Sequence, residues 1–310
     1  MFSVIFPGQG SQSVGMCRNL YNKYDFVKEL FTRADEILGY SISKLILEGP
    51  KEDLDYTENT QPAIFLVSYS IYQTIKRETK IKLEDAKYFA GHSLGEYTAL
   101  AASESLDFDS AIKILKVRGK AMQTAVPKGQ GGMLAVLGTE IKNINEILEK
   151  NKNKYECFIA NDNSSNQVVL SGNLRDLDLL IEDLNNNSIK NIKLPVSAPF
   201  HCNLMKPATE IMKKTIAEIN FNNAKSPIIS NVTAKEMINS NQIKELLIKQ
   251  IESPVKWRES VMYMMENGVK KFIEIGPGKV LSGLIKRIDR SVKLISVNDV
   301  DDLEKINLND

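Results

Sequence analysis

The sequence predicts an α/β protein: a hydrolase-like core with a parallel sheet and a nucleophile elbow, carrying a small inserted ferredoxin-like domain. Three observations support this. An apolar run (Tyr88, Phe89, Ala90) enters Gly91-His92-Ser93-Leu94-Gly95 and a helix-forming run, Thr98 to Ala102, leaves it. Strand, sharp turn and helix with a serine at the apex is the context the elbow pattern requires. Between Gly129 and Pro195 the order of predicted elements is βαββαβ, the ferredoxin-like unit. On either side of it strands and helices alternate, the order that builds a parallel sheet. The expected division is 1–128 with 196–310 as the large core, and 129–195 as the insertion.

Taken in order, Ser3 to Phe6 reads as a buried first strand running into Pro7-Gly8-Gln9-Gly10-Ser11-Gln12. Loops at strand ends are where α/β proteins place ligands. The third glycine of a dinucleotide fingerprint is replaced by Ser13, which excludes a Rossmann cofactor site. Helices are expected over Tyr24 to Leu38, Ile42 to Leu47 and Gln61 to Glu78, with Pro62 in a first turn. After Asp107, the residues Ala111, Leu115, Arg118 and Met122 share one helix face. The insertion reads as strand 133–137, helix 142–149, strands 156–160 and 167–170, helix 176–184 and strand 189–194, with an exposed turn at Asn185-Asn186-Asn187. Strands at 227–230, 271–274 and 292–297, and helices at 243–251, 258–265 and from Ile275-Gly276-Pro277-Gly278 through Arg287, complete the core.

Composition narrows the function. With 310 residues and 43% apolar content the chain can bury a substantial core. Its 40 basic and 39 acidic residues give a net charge of +1, so no global field recruits nucleic acid or an anionic membrane. The three cysteines, Cys17, Cys157 and Cys202, show no Cys-x-x-Cys spacing, which argues against a disulfide framework or structural zinc. Strand-like residues start at the N-terminus, and no stretch reads as a signal peptide or membrane span. A cytoplasmic location is expected.

The candidate chemistry follows from residue types. Ser93 is the candidate nucleophile, and the helix amides after it, Leu94 foremost, point where an oxyanion would form. The bland alternative is a tight turn with Ser93 as a helix cap. Acyl transfer by serine needs a base, and the chain holds two histidines. His92 adjoins the nucleophile and should point away from it, leaving His201 in Pro199-Phe200-His201-Cys202. No carboxylate stands out to orient His201, so a backbone carbonyl is an option. Arg118 on an apolar stripe fits two readings: an internal ion pair or snorkelling side chain, or a fork for a substrate carboxylate. Lys286, Arg287, Arg290 and Lys293 form a local basic cluster.

Assembled in order, Phe6 to Gln12, Gly91 to Tyr97, Arg118-Gly119 with Met122-Gln123, Pro199-Phe200-His201, Ser230 to Ala234 and Ile275 to Leu281 resemble the malonyl-CoA:acyl carrier protein transacylase family of dissociated fatty acid synthesis. The resemblance spans nearly the whole chain. It implies that Ser93 carries a malonyl ester, that His201 is the base and that Arg118 binds the malonyl carboxylate. It further implies an oxyanion hole from the amides of Gln9 and Leu94, and a main-chain carbonyl at Gln250 that orients His201. Phe200, Met122 and an asparagine, Asn161 or Asn163, would lie against the substrate, Phe200 favouring malonyl over methylmalonyl. CoA and the carrier's phosphopantetheine are then substrates, no further cofactor is needed, and the chain is expected to be a monomer. Two rivals remain at this level: a serine thioesterase or esterase, in which water is the acceptor, and a non-catalytic carrier-docking module with a vestigial elbow. Fatty acid and polyketide assembly are not distinguished by these residues.

Overall fold

The computed structural model describes residues 1–196 and 198–307. Among them ten strands occur: β1 (Phe2–Phe6), β2 (Tyr88–Gly91), β3 (Gly131–Leu137), β4 (Cys157–Ser164), β5 (Gln167–Asn173), β6 (Lys190–Lys193), β7 (Ile228–Ile229), β8 (Glu236–Met237), β9 (Lys271–Ile275) and β10 (Lys293–Val297). They form a six-stranded sheet in the order β10-β9-β1-β2-β7-β8 and a four-stranded sheet in the order β4-β5-β3-β6. In the larger sheet every pair is parallel except β7 with β8. Val4, Ile5 and Phe6 at its centre are fully buried, as expected for a parallel strand covered on both faces.

The register of β1 against β2, Ile5 to Ala90 and Phe6 to Gly91, brings their C-terminal ends level. The loop after β1 therefore leaves the sheet beside the elbow after β2, at the carboxyl edge where α/β sheets bind ligands. That packing depends on missing side chains. A Cβ on Gly91 would fall 1.9 Å from the carbonyl carbon of Gly95, and one on Gly95 would fall 2.3 Å from the Phe6 oxygen. Since both obstacles are backbone, Gly91→Ala is expected to cost about 3 kcal/mol or more. A chemical denaturation curve with an unshifted midpoint would show that the turn opens freely.

The four-stranded sheet is antiparallel throughout. Successive side chains along a strand point to opposite faces, and β3 uses both. Leu134 and Val136 join a small cluster with Ile144, Leu177 and Leu180 from the helices Ile141–Lys150 and Leu174–Asn186. Met133 and Ala135 join the large core instead. The small sheet thus roofs the carboxyl edge of the large one. Backbone bonds from Val255 to Ala160 (2.8 Å) and from Asp162 to Val255 (2.9 Å), with an Arg258–Asp162 ion pair at 2.9 Å, pin the two together.

Three local expectations change, and further elements appear. Pro62 lies inside the helix Thr57–Glu78 rather than in its first turn, because the helix starts four residues before Gln61. Tertiary burial of the segment outweighs the single lost amide bond. Asn185 and Asn186 end a helix instead of forming a turn. Strand β4 runs on to Ser164 through Asn161, Asp162 and Asn163, residues poor in strand propensity. Register shifts and the Val255 bridge hold them. The helix Lys206–Glu218 was not anticipated, although Ala208, Met212 and Ile216 carry the four-residue spacing that signals it. β8 and the helix Val300–Asn307 are likewise additional.

Candidate active site

Ser93 has φ 54°, in the left-handed region, as a strained elbow requires. Its amide donates to Asn231 Oδ1 at 2.7 Å, while Asn231 Nδ2 donates back to the Gly91 carbonyl at 2.7 Å. One asparagine therefore clamps both sides of the turn. His201, in the loop roofed by the small sheet, also has a positive φ of 60°. Ser171 on β5 donates to the preceding carbonyl, Phe200, at 2.6 Å and so ties this loop to the roof. Ser197, in the same connection, lies outside the described residues.

Ser93 Oγ and His201 Nε2 are 2.8 Å apart, and His201 Nδ1 is 2.9 Å from the Gln250 carbonyl oxygen. A carbonyl only accepts, so the proton sits on Nδ1 and the Nε2 lone pair faces the serine. Burial, and then the charge of Arg118, push the imidazole down to about 3, which keeps it neutral. Cys202 is no competitor: its thiol donates to Pro199 and burial pushes it up to about 11.

Arg118 is fully buried and forms no ion pair among the described residues. Its guanidinium donates to Gln61 Oε1 at 2.8 Å, Gln250 Oε1 at 2.8 Å and Ser93 Oγ at 3.1 Å, and lies 5.4 Å from the centre of the Tyr97 ring. Nε has no partner. A permanently charged fork is thus aimed at the nucleophile and held by neutral acceptors, an arrangement that leaves its charge available to an incoming anion.

The cleft around these groups, about 100 Å³, is lined by Gln9, Leu94, Met122, Asn161 and Phe200 together with Gln61, His92, Met133, Leu194 and Val196. Gln9 and Leu94, the residues expected to supply oxyanion amides, both line this cleft beside Ser93. Asn161 Oδ1 is buried without a partner among the described residues. Asn163 lies behind the lining and meets His92 Nε2 at 2.8 Å, so His92 turns away from Ser93. A wider groove of about 590 Å³ beside Tyr40, Lys44 and Lys116 contains no nucleophile and base pair.

Sequence reasoning gave no role to Gln61, Asn231, the Gln250 side chain or Glu96. All are polar and buried. Their only local sign is position: Glu96 and Asn231 stand inside motifs already singled out, whereas Gln61 and Gln250 lie in ordinary helical sequence.

Residues 3–305 match the family model described as the acyl transferase domain, which sets the class: the molecule is an acyltransferase. The chain is 42% identical over 302 residues to the malonyl CoA-acyl carrier protein transacylase of Bacillus subtilis, covering 97% of this chain and 94% of that protein. It is 38% identical to the Escherichia coli K12 protein of the same name, covering 96% of each. The chain belongs to the malonyl CoA-acyl carrier protein transacylase family. The fold agrees: an acyl carrier protein S-malonyltransferase from Vibrio cholerae superposes with TM-score 0.93 at 42% identity, covering 98% of this chain and 99% of that one. A malonyl-transacylase in complex with a type II PKS acyl-carrier protein superposes with TM-score 0.95 at 35% identity, covering 100% and 99%. No helix among the described residues is long and apolar enough to cross a membrane.

Proposed function

We propose that this protein moves a malonyl group from malonyl-CoA to the phosphopantetheine thiol of a holo acyl carrier protein through an ester on Ser93, supplying fatty acid elongation. The observation that carries this reading is that one oxygen, Ser93 Oγ, is met by both a neutral histidine and a buried guanidinium. His201 takes the serine proton as Oγ attacks the thioester carbonyl. The amides of Gln9 and Leu94 receive the oxyanion, and the tetrahedral adduct collapses as CoA leaves with the proton from His201. The carrier thiol then gives its proton to His201 and attacks the ester carbonyl, and the adduct collapses as Ser93 Oγ leaves with that proton from His201, forming the malonyl thioester.

Arg118 selects the acyl group, since a bidentate pair with the malonyl carboxylate satisfies a charge that a neutral acyl chain would leave unpaired. Asn161, with its free Oδ1, and Met122 are assigned to the acyl or thioester portion, and Phe200 to excluding a methyl branch. Asn163 supports from behind. Residues 129–195 form the roof unit. The carrier enters from the groove between roof and core, where Arg287 Nη1 already bridges to Gln167 at 3.1 Å with Lys286 beside it. The protein works in the cytoplasm as a monomer and needs no cofactor beyond its two thioester substrates.

Intact mass after brief exposure to malonyl-CoA, without carrier, tests the core of this reading. A single malonyl adduct is expected, absent in Ser93→Ala and discharged by holo carrier. Free CoA accumulating without an adduct would favour a hydrolase instead.

A further inference from the structure

Beneath the elbow lies a carboxyl group that the reaction itself does not use. Glu96, three residues after Ser93, is fully buried, as are Arg118 and Gln250. Its Oε2 accepts from Gln250 Nε2 at 2.9 Å and from the Asn231 amide at 2.9 Å. Oε1 has no partner among the described residues.

A primary amide has one accepting and one donating end. Gln250 turns its oxygen to Arg118, which only donates, and its nitrogen to Glu96 and to the Ser93 carbonyl, at 2.9 and 3.1 Å. Reversed, the amide would set its NH2 against a cation and its oxygen against a carboxylate. Only one orientation is therefore compatible with this pair of neighbours. The same residue's main-chain oxygen holds His201, and Asn231, bonded to the other side of Oε2, holds the Ser93 amide. One carboxylate oxygen touches the supports of nucleophile, base and guanidinium at once.

We propose that Glu96 is a positioning residue: by accepting from the Gln250 side-chain nitrogen it sets the direction of that amide, and so keeps Arg118 and His201 aligned on Ser93. This rests on the acyl-transfer reading above. Burial pushes Glu96 up to about 7 against the hydrogen bonds of Asn231 and Gln250 and the charge of Arg118. The accepting oxygen serves in either protonation state, because a proton on the unpartnered Oε1 leaves Oε2 free to accept. Of the charged and titratable groups around it, Tyr97 is the next residue on the helix Gly95–Ala102, Arg118 stands on the helix Phe108–Thr124, and His201 shares the Gln250 support. None gives it a direct ion pair.

A purely structural carboxylate would, when lost, lower the folded fraction and scale all acyl transfers alike. A positioning role changes selectivity, because only a carboxylated acyl group uses Arg118. The test compares single-turnover acylation of Ser93 by malonyl-CoA and by acetyl-CoA in wild type, Glu96→Ala, Glu96→Gln, Gln250→Met and the Glu96→Ala/Gln250→Met double variant. Each is checked for a cooperative melt. Glu96→Ala and Gln250→Met are each expected to slow malonyl loading about 10²-fold, the scale of an ångström-sized misplacement, and to lower the malonyl-to-acetyl ratio. Glu96→Gln keeps an accepting oxygen and is expected to restore both rate and ratio. The double variant should be no worse than either single one, since both break the same link.

An unchanged ratio in Glu96→Ala, or a Glu96→Gln as slow as Glu96→Ala, would overturn the proposal. Should Glu96→Ala fail to fold, Gln250→Met decides, because it removes the amide and keeps the main-chain carbonyl on His201; an unchanged ratio there also overturns it. A wild-type chain that forms no malonyl adduct defeats the acyl-transfer reading itself. A wild type that loads, with variants that match it, defeats the role of Glu96 alone.

Discussion

Arg118→Ala is expected to slow malonyl transfer on the order of 10³-fold, the cost of leaving one member of a buried charge pair alone, while acetyl transfer holds or rises. The guanidinium is fully buried in the protein itself, with neutral acceptors on two of its nitrogens and no bonded carboxylate among the described residues. Desolvation is thus complete before substrate arrives, and a malonyl carboxylate gains a strong pair without bringing a further buried cation out of water. A neutral acyl group meets the opposite situation, because it fills space beside a charge that it does not answer. Alanine removes both effects, so the ratio of malonyl to acetyl transfer falls further than the malonyl rate alone. Rates of Ser93 acylation by the two thioesters measure this. A variant that slowed both equally would assign Arg118 to holding Ser93 Oγ, 3.1 Å away, rather than to choosing the acyl group.

What could be read from the sequence and what could not divides along a physical line. The elbow was legible because its constraint is local: backbone passes within 2 Å of where a Gly91 side chain would begin, so glycine is dictated by near neighbours. His201 was legible by elimination, since the chain has two histidines and one of them adjoins the nucleophile. The roof unit was legible through period-2 and helical patterns that survive in separate segments. The support network was not. Gln250 lies 157 positions from the Ser93 carbonyl it contacts, and Asn231 lies 138 from the Ser93 amide. Gln250 lies in ordinary helical sequence, and Asn231, though inside the Ser230 to Ala234 motif, carries no local sign of which groups its amide meets. Strand β4 was expected to end at residue 160 for a related reason: its continuation through Asn161 and Asp162 depends on Val255, from a distant segment.

His201→Ala is expected to lower the rate of Ser93 acylation by about 10⁴-fold, leaving the adduct slow to form though the oxyanion amides remain. The pH profile of the intact enzyme carries the sharper information. A histidine ordinarily titrates at 6.5, and here burial followed by the Arg118 charge depresses it to about 3. Because the folded value lies below the unfolded one, the stability tied to neutral His201 is present above pH 6.5 and is lost as the pH falls towards 3. Over the same window the free enzyme keeps its base ready, so the loading rate is expected to show no His201 step between pH 8 and about 5. A very low value also makes a weak base, and here the substrate intervenes. Once a malonyl carboxylate pairs with Arg118, the guanidinium charge no longer opposes a proton on His201, and the second-largest cause of the depression is offset. The imidazole of the malonylated enzyme should therefore titrate higher than that of the free enzyme and act as a better base towards the carrier thiol. Discharge of the isolated adduct by holo carrier is expected to lose rate at a higher pH than the kcat/KM of loading, which reports the free enzyme before a carboxylate reaches Arg118. Coincident acid limbs for the two half-reactions would show that the charge on Arg118 does not govern the base.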